Sequence, residues 1–295
     1  MTVVMDQRDL QILDESLRFE SKMWDVLQGG ANMITPSDFL DAETVRVNKM
    51  DGFVKPSQYN RNGENSRSRV DMEKEVFKLS QEDWFSYTLD KLDQTENMAY
   101  NVQNIVTGHR KQITIPERDK YAAQKIFEVS QNGGKLVEGT IDTKNALAAY
   151  DDAEAYMVDN EVPGGFVMFA SSSFYKSLKN ADGVSKTFTT NEASINGINR
   201  KVGQLDDGVP ILQVPKGRLQ GRTISDTHDI SFMLVPLYAF APVVKLETVD
   251  YIPAELDPTG YRDTIKSLSF YDIFSFDNTK KGVYVAASKN STTSK

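Results

Sequence analysis

The chain has 295 residues, a formal charge of −8, a pI near 5.0 and no cysteine. Such a length holds one large domain or two modest ones, and the missing thiols exclude disulfides, thiolate metal sites and cysteine nucleophiles, which suits a reducing compartment. The acidic balance argues against a dedicated nucleic-acid binder, and no apolar run of about 18 residues or basic leader points to a membrane or to export.

An amphipathic helix is expected first, with Leu10, Leu13, Leu17, Trp24 and Leu27 on one stripe and Gly29-Gly30 as its stop. It precedes any sheet, so its apolar face docks on its own chain or on a neighbour. Val45 and Val47 then alternate with Arg46 and Asn48, and Val70, Met72 and Val76 share a period of two. Between these strands lies a polar arm, Asp51 to Val70, that sets Lys55, Arg61, Arg67 and Arg69 against Asp51 and Glu64. Loops longer than roughly 12–15 residues are uncommon in compact domains and mark disorder or an outside partner. The partner reading is the productive one. Strands at Val76 to Ser80 and Trp84 to Leu92, joined by Gln81-Glu82-Asp83, read as a hairpin returning from the arm, with Phe85, Tyr87 and Leu89 on one phase.

From Thr95 the period becomes helical, with Met98, Val102 and Ile105, until Gly108 interrupts it. A second start follows, in which Thr114 and Glu117 have capping-box spacing, Pro116 lies in the first turn, and Ala122, Ile126 and Val129 repeat up to Gly133-Gly134. Together they predict one long helix across the domain. Asp142 or Thr143 caps a helix carrying Ala146, Tyr150, Ala153 and Met157, which ends before Val162-Pro163-Gly164. Phe166 to Ala170 reads as a buried strand, and Ser171 to Ser173 cap a helix from Phe174 to Lys179. A hairpin follows, Lys201 to Leu205 and Pro210 to Val214, turning at Asp207-Gly208. Strands at Ile230 to Val235, Val243 to Ile252, Ile265 to Phe276 and Val283 to Ala287 complete an α+β pattern in which the chain leaves a sheet, builds a second lobe and returns.

Catalytic motifs are missing: there is no nucleophile elbow, phosphate loop, dinucleotide fingerprint or zinc-protease helix. His109 falls in the helix break, and His228 beside Asp229 suggests a carboxylate-oriented base, although a solvated turn histidine is the plainer reading. Asp151-Asp152-Glu154 and Asp206-Asp207 could hold a hard cation, but neither has calcium-loop spacing, and solvation explains both. No cofactor is expected. Leu268, Phe270, Phe274 and Phe276 predict a core-facing strand on which Asp272 needs a partner. The basic tip has one aromatic residue, Tyr59, and no stacking array, so the acidic surface of an identical neighbour is its better partner than nucleic acid. A sequon at Asn290-Ser291-Thr292 lies in a ragged polar tail and reads as chance.

Five segments then share order and spacing with one family: FKLSQEDWFSYTLDKLDQTEN (77–97), ITIPERDKYAAQKI (113–126), NEVPGGFVMFASSSFYKSLKNA (160–181), INGINRKVGQLDDGVPILQVPKGRL (195–219) and FSFDNTKKGVYVAA (274–287). In these the chain resembles major capsid proteins of tailed bacteriophages with the Hong Kong 97-type fold, especially those of Gram-positive hosts. The resemblance implies an N-terminal arm (1–44), an extended loop (45–92) lying over an adjacent subunit, a peripheral domain with a spine helix (93–140), an axial domain (141–234) and peripheral return strands with a tail (235–295). It implies a structural, non-enzymatic role, self-assembly into hexamers and pentamers of an icosahedral shell around double-stranded DNA, and a place in the virion after assembly in the bacterial cytoplasm. Lys55, Tyr59, Arg61, Arg67 and Arg69 of the extended loop would meet a neighbour, and Asp206, Asp207 and Gly208 would form an axial-domain turn. An acidic wall suits a container filled with DNA. A separate scaffolding protein, a portal and a decoration protein are the further partners implied. Some relatives join a loop lysine to an asparagine by an isopeptide bond; Lys49, Lys55 and Asn278 have the residue types, but no motif marks them. An encapsulin-like compartment around a cargo enzyme and a carboxylate hydrolase using Asp206, Asp207 or the Asp151 cluster are the alternatives.

Overall fold

A computed structural model describes residues 21–30, 44–51, 55, 57–65, 67, 71–91, 102–181, 190–195, 198–204 and 209–290. Leu10, Leu13 and Leu17 of the first expected helix therefore lie outside the described residues, as do Arg69, Met98 and the turn Asp206-Asp207-Gly208. What is described of that first helix is α1 (Trp24–Gly30), and it docks on its own chain. Met23, Trp24, Val26 and Leu27 are buried in the main core with Phe127, Val235 and Phe240.

The ribbon of the arm is β1 (Thr44–Asp51) paired antiparallel with β2 (Asp71–Lys78), with Val45 opposite Phe77. β3 (Gln81–Asp90) follows after two residues, and here the expected hairpin is not what forms. Gln81, Glu82 and Asp83 are strand rather than turn, and β3 pairs with the much later β12 (Arg262–Ser275), Gln81 standing opposite Tyr271. The cause lies at the junction: Leu79 is buried among Ala241, Val243 and Phe274, and Ser80 is fastened to Asp272, so the chain leaves one ladder and joins another.

The long helix exists, in three pieces without a break: α2 (Val102–His109), a π-turn (Arg110–Thr114) and α3 (Ile115–Gln131). Gly108 does not interrupt it, and the expected capping box does not form, because Thr114 is itself helical (φ −59°, ψ −48°) and its side chain caps nothing. Pro116 has no N–H to give, and the wider π-turn upstream absorbs the register at the point where that bond is missing. Ala122, Ala123, Ile126, Phe127 and Val129 bury the inner stripe of α3. The helix ends as Gly133-Gly134 predicts: Gly133 has φ +155° and Gly134 N–H returns to Val129 C=O at 3.0 Å.

After β4 (Lys135–Glu138), helix α4 (Ala146–Asp159) buries Ala146, Tyr150, Ala153 and Met157 as their spacing requires. Asp142 holds the turn before it, accepting from the N–H groups of Lys144 and Asn145. β5 (Phe166–Ser171) is buried, and Ser171 caps α5 (Ser172–Lys179) through Phe174 N–H at 3.2 Å. β6 (Thr190–Ile195), β7 (Ile198–Gln204), β8 (Pro210–Val214), β9 (Gln220–Arg222) and β10 (Thr227–Pro236) continue the chain. β7 and β8 pair antiparallel, Gln204 opposite Pro210, as the hairpin reading expects. β11 (Phe240–Ile252), β12 and β13 (Tyr284–Asn290) close it.

Among the described residues these strands build an eight-stranded sheet, in the order β4-β13-β10-β5-β8-β7-β6 with β9 on β10, and a three-stranded sheet β11-β12-β3. α3 packs on both. The face of β12 turned to that helix carries Ile265, Ser267, Ser269, Tyr271 and Ile273, all buried, whereas Leu268 is exposed and Phe270 half-buried. The core-facing phase expected there is thus inverted along most of the strand, because α3 brings Arg118 and Tyr121 against Tyr271. His228 is also not the solvated turn residue expected: it is buried in β10, its Nε2 donates to Glu138 at 3.2 Å, and its ring lies 5.1 Å from that of Phe127. Asp229 does not orient it, since that carboxylate meets Lys216 at 2.8 Å. Alternation along β10 places adjacent residues on opposite faces, which separates the pair.

Candidate assembly interface

The outstretched arm begins on a fixed base. Phe77 stacks on Phe274 at 4.9 Å and meets Phe276 edge-on at 5.8 Å, while Val45 and Leu79 are buried. Asp272, the carboxylate whose position demanded a partner, is the knot beneath. It accepts from Ser80 N–H (2.9 Å), Ser80 Oγ–H (2.8 Å), Ile273 N–H (2.7 Å) and the Tyr121 hydroxyl (2.5 Å), so it ties the ribbon to the long helix. Burial, and then the bond to Asp272, push the Tyr121 phenol far above its ordinary value.

Beyond that base the ribbon pairs with no third strand among the described residues. The tip nevertheless has a built shape. Asn65 Oδ1 accepts from Asn60 N–H at 2.8 Å and its amide donates to Asn60 C=O at 3.1 Å, while Asn60 Oδ1 accepts from Asn62 N–H at 3.0 Å. Gly63 fits against this turn because a Cβ there would lie 2.5 Å from Asn60 Nδ2. Lys55, Tyr59, Arg61 and Arg67 are all exposed on this tip, Tyr59 by 76%. Sequence reasoning found the charges and missed the asparagine frame, whose signal was the spacing of Asn60, Asn62 and Asn65 around a glycine.

The N-terminal helix is held by a second knot that the sequence did not disclose. Asp119 of α3 is fully buried and accepts from Ser21 Oγ–H (2.9 Å), Lys22 N–H (2.9 Å), Met23 N–H (3.2 Å) and Trp24 N–H (3.1 Å), and Arg218 reaches it at 2.8 Å. A carboxylate on one helix thereby caps the start of another, with the macrodipole favouring its charge.

A groove of about 830 Å³ opens between the long helix and the β3 edge of the three-stranded sheet. Ser267, Ser269 and Tyr271 form its floor. Tyr271 donates to Asp83 at 2.6 Å, and burial, followed by that bond, raises its phenol well above the ordinary range. At one end Tyr87 and His109 are joined at 2.7 Å (hydroxyl to Nδ1), the imidazole stacks on Phe85 at 3.8 Å, and burial lowers its pKa. Trp84 stands at the rim, 65% exposed. Its place was readable in the sequence, since Trp84 falls on the polar phase of β3 with Ser86 and Thr88.

Other singled-out residues lie apart. Asp151 and Asp152 are on the exposed face of α4, far in sequence from the arm. Asn278 is exposed in a 3-10 turn (Asp277–Gly282), and Lys49 lies within β1. No group of His, Asp and Glu among the described residues is arranged to hold a metal ion.

No model of a known protein family matches the sequence, and no curated protein does. Solved structures do match the fold. A chain from Mycobacterium phage Che8 aligns with a TM-score of 0.63 at 18% identity, covering 94% of each chain. The mature capsid of bacteriophage PhiM1 gives 0.68 at 14% identity over 95% of this chain and 90% of that one. The capsid of cyanophage P-SCSP1u gives 0.67 at 12% identity, over 95% and 92% respectively. The α+β capsid fold expected from the sequence is the fold of this chain.

Proposed function

We infer that this chain is the major subunit of a tailed-bacteriophage head, self-assembling into hexamers and pentamers of an icosahedral shell around double-stranded DNA. One observation carries the reading: on a capsid fold, a preshaped basic arm stands out from a doubly anchored base and its ribbon pairs with no third strand among the described residues. The chain's work is then free energy of association, summed over many contacts between identical copies, rather than catalysis. Lys55, Tyr59, Arg61, Arg67 and Arg69 serve as contacts to the adjacent subunit, and Asp206, Asp207 and Gly208 as a turn of the axial domain. The same reading takes 1–44 as N-terminal arm, 45–92 as extended loop, 93–140 and 235–295 as peripheral domain, and 141–234 as axial domain. It expects a separate scaffolding protein, a portal and a decoration protein as partners, assembly in the bacterial cytoplasm and residence in the virion.

The test is expression of the chain, alone and with candidate scaffolding proteins from the neighbouring reading frames, followed by size-exclusion chromatography and electron microscopy. Closed particles in the void volume are expected, with nuclease-protected DNA inside particles from an infected host. A stable monomer under all these conditions, or particles holding only a cargo protein, would overturn the reading.

A further inference from the structure

The asparagine frame of the arm tip encloses the dipeptide Asn62-Gly63, and it holds only part of it. Asn62 is fastened through its N–H, which donates to Asn60 Oδ1 at 3.0 Å. The residue is exposed, and neither its side-chain amide nor the Gly63 N–H makes a hydrogen bond with the described residues. Gly63 is what this turn requires: a Cβ there would stand 2.5 Å from Asn60 Nδ2, and Asn60 cannot move aside without letting go of Asn62. Glycine is also the successor that shields its main-chain nitrogen least, so the shape of the tip and the reactivity of Asn62 come from one residue.

We propose that Asn62-Gly63 is a self-modifying site, at which the unassembled subunit converts Asn62 to isoaspartate and loses the shape of its arm tip. The Gly63 nitrogen attacks Asn62 Cγ; a C–N bond forms, the Cγ–Nδ2 bond breaks, and ammonia leaves with the proton of the Gly63 nitrogen. Water then opens the succinimide ring at either carbonyl, giving aspartate or isoaspartate with no change of oxidation state. Isoaspartate carries the main chain through its own side-chain carbons, which lengthens the link between residues 62 and 63 by a methylene. Asn60 and Asn65 grip each other across that link through bonds of 2.8 Å and 3.1 Å, so the longer main chain no longer fits between them. Either product also adds a carboxylate. The described tip sets Lys55, Arg61 and Arg67 against Glu64, so a further anion halves its net charge.

The chain carries its own comparison. Asn196-Gly197 lies outside the described residues, but Asn132-Gly133 ends α3, where ψ of Asn132 is 23° and Gly134 N–H is bonded to Val129 C=O at 3.0 Å. That ψ turns the Gly133 nitrogen away from the Asn132 side chain, and ring closure there must first undo the helix end.

Peptide mapping by mass spectrometry tests the chemistry on the full, unassembled chain kept in warm, mildly alkaline buffer. Asn62 should turn from amide to acid at least about tenfold faster than Asn132, with isoaspartate at position 62 detected by a purified isoaspartyl methyltransferase. An unreacted Asn62, or equal rates at the two positions, overturns the proposal whatever the chain assembles into. Asn62→Gln keeps the backbone N–H of the frame, and its longer side chain closes such a ring far more slowly. In the converted wild type the Asn60 N–H should exchange with solvent several-fold faster than in Asn62→Gln incubated alongside; unchanged exchange overturns the proposal. The consequence for assembly rests on the reading above: particle yield should fall with the converted fraction in the wild type and hold in Asn62→Gln, whereas equal loss in both overturns it. Fresh wild-type chain that forms no particles counts against the assembly reading instead, and leaves the two measurements on the unassembled chain to decide.

Discussion

Buried carboxylates hold this molecule at single points, and the cost of removing one follows from what it leaves behind. Asp119→Ala strips the cap from α1 and takes from the buried Arg218 guanidinium the carboxylate it meets at 2.8 Å. Urea unfolding should show a loss of about 3–5 kcal/mol, the range for breaking a buried pair. At Glu161 the backbone is left-handed (φ +53°), and Val162 N–H returns to Met157 C=O at 3.0 Å, a helix ending that favours glycine. Glu161→Gly should therefore raise stability by about 0.5–1 kcal/mol in the same assay. Tyr121 gives a pH signature. Its folded pKa is raised above the unfolded value of 10.0, so its contribution is complete below pH 10 and is lost as pH climbs above that value. Stability measured from pH 8 to 11 should fall at the alkaline end, and less steeply in Tyr121→Phe. Of these residues only Asp272, the partner of Tyr121, was legible in the sequence, because a carboxylate within an apolar run needs donors. Asp119 looked like one more charge in PERDK, since its donors lie almost a hundred residues away.

At the scale of elements, periodicity located strands and helices well and local signals misjudged how they join. The stripes of α3 and α4, the cap of α5 and the β7–β8 pair all follow from spacing within one element. The β2–β3 hairpin failed because strand pairing is non-local: β3 spans turn-like Gln81-Glu82-Asp83 since β12 offers those residues a complete ladder. Likewise, a helix packed on β12 decides which phase of that strand is inside. His228 was misread for the same reason, as the polar letters around it describe an exposed turn while β13 and β9 flank it on both sides. Packing between elements is close where β9 crosses α3. A Cβ on Gly221 would come within 2.5 Å of the Phe127 ring, so Gly221→Ala should cost about 1–3 kcal/mol by thermal unfolding. Phe127→Leu in the same chain should relieve part of that penalty.

For the whole molecule, the division between the packed body and the projecting arm is sharp. The ribbon contributes Val45, Phe77 and Leu79 to its own core, while Arg46, Glu73, Lys74 and Val76 are exposed. Replacing 52–70 by an Asn-Gly turn should thus shift the thermal midpoint by no more than about 1–2 °C, as surface changes do, yet move the protein from the void volume to the monomer position on a sizing column. Fold class and arm were legible from the sequence because an unpairable loop and an α+β order are visible in one dimension. The groove was not, since its walls come from five separate stretches of chain. One further consequence concerns timing. β13 is inserted between β4 and β10, one strand in from the edge of the large sheet, parallel to the first and antiparallel to the second. Until it is seated, β4 has no strand partner among the described residues, so fastening the segment after the long helix to the large sheet is a late, non-local step of folding.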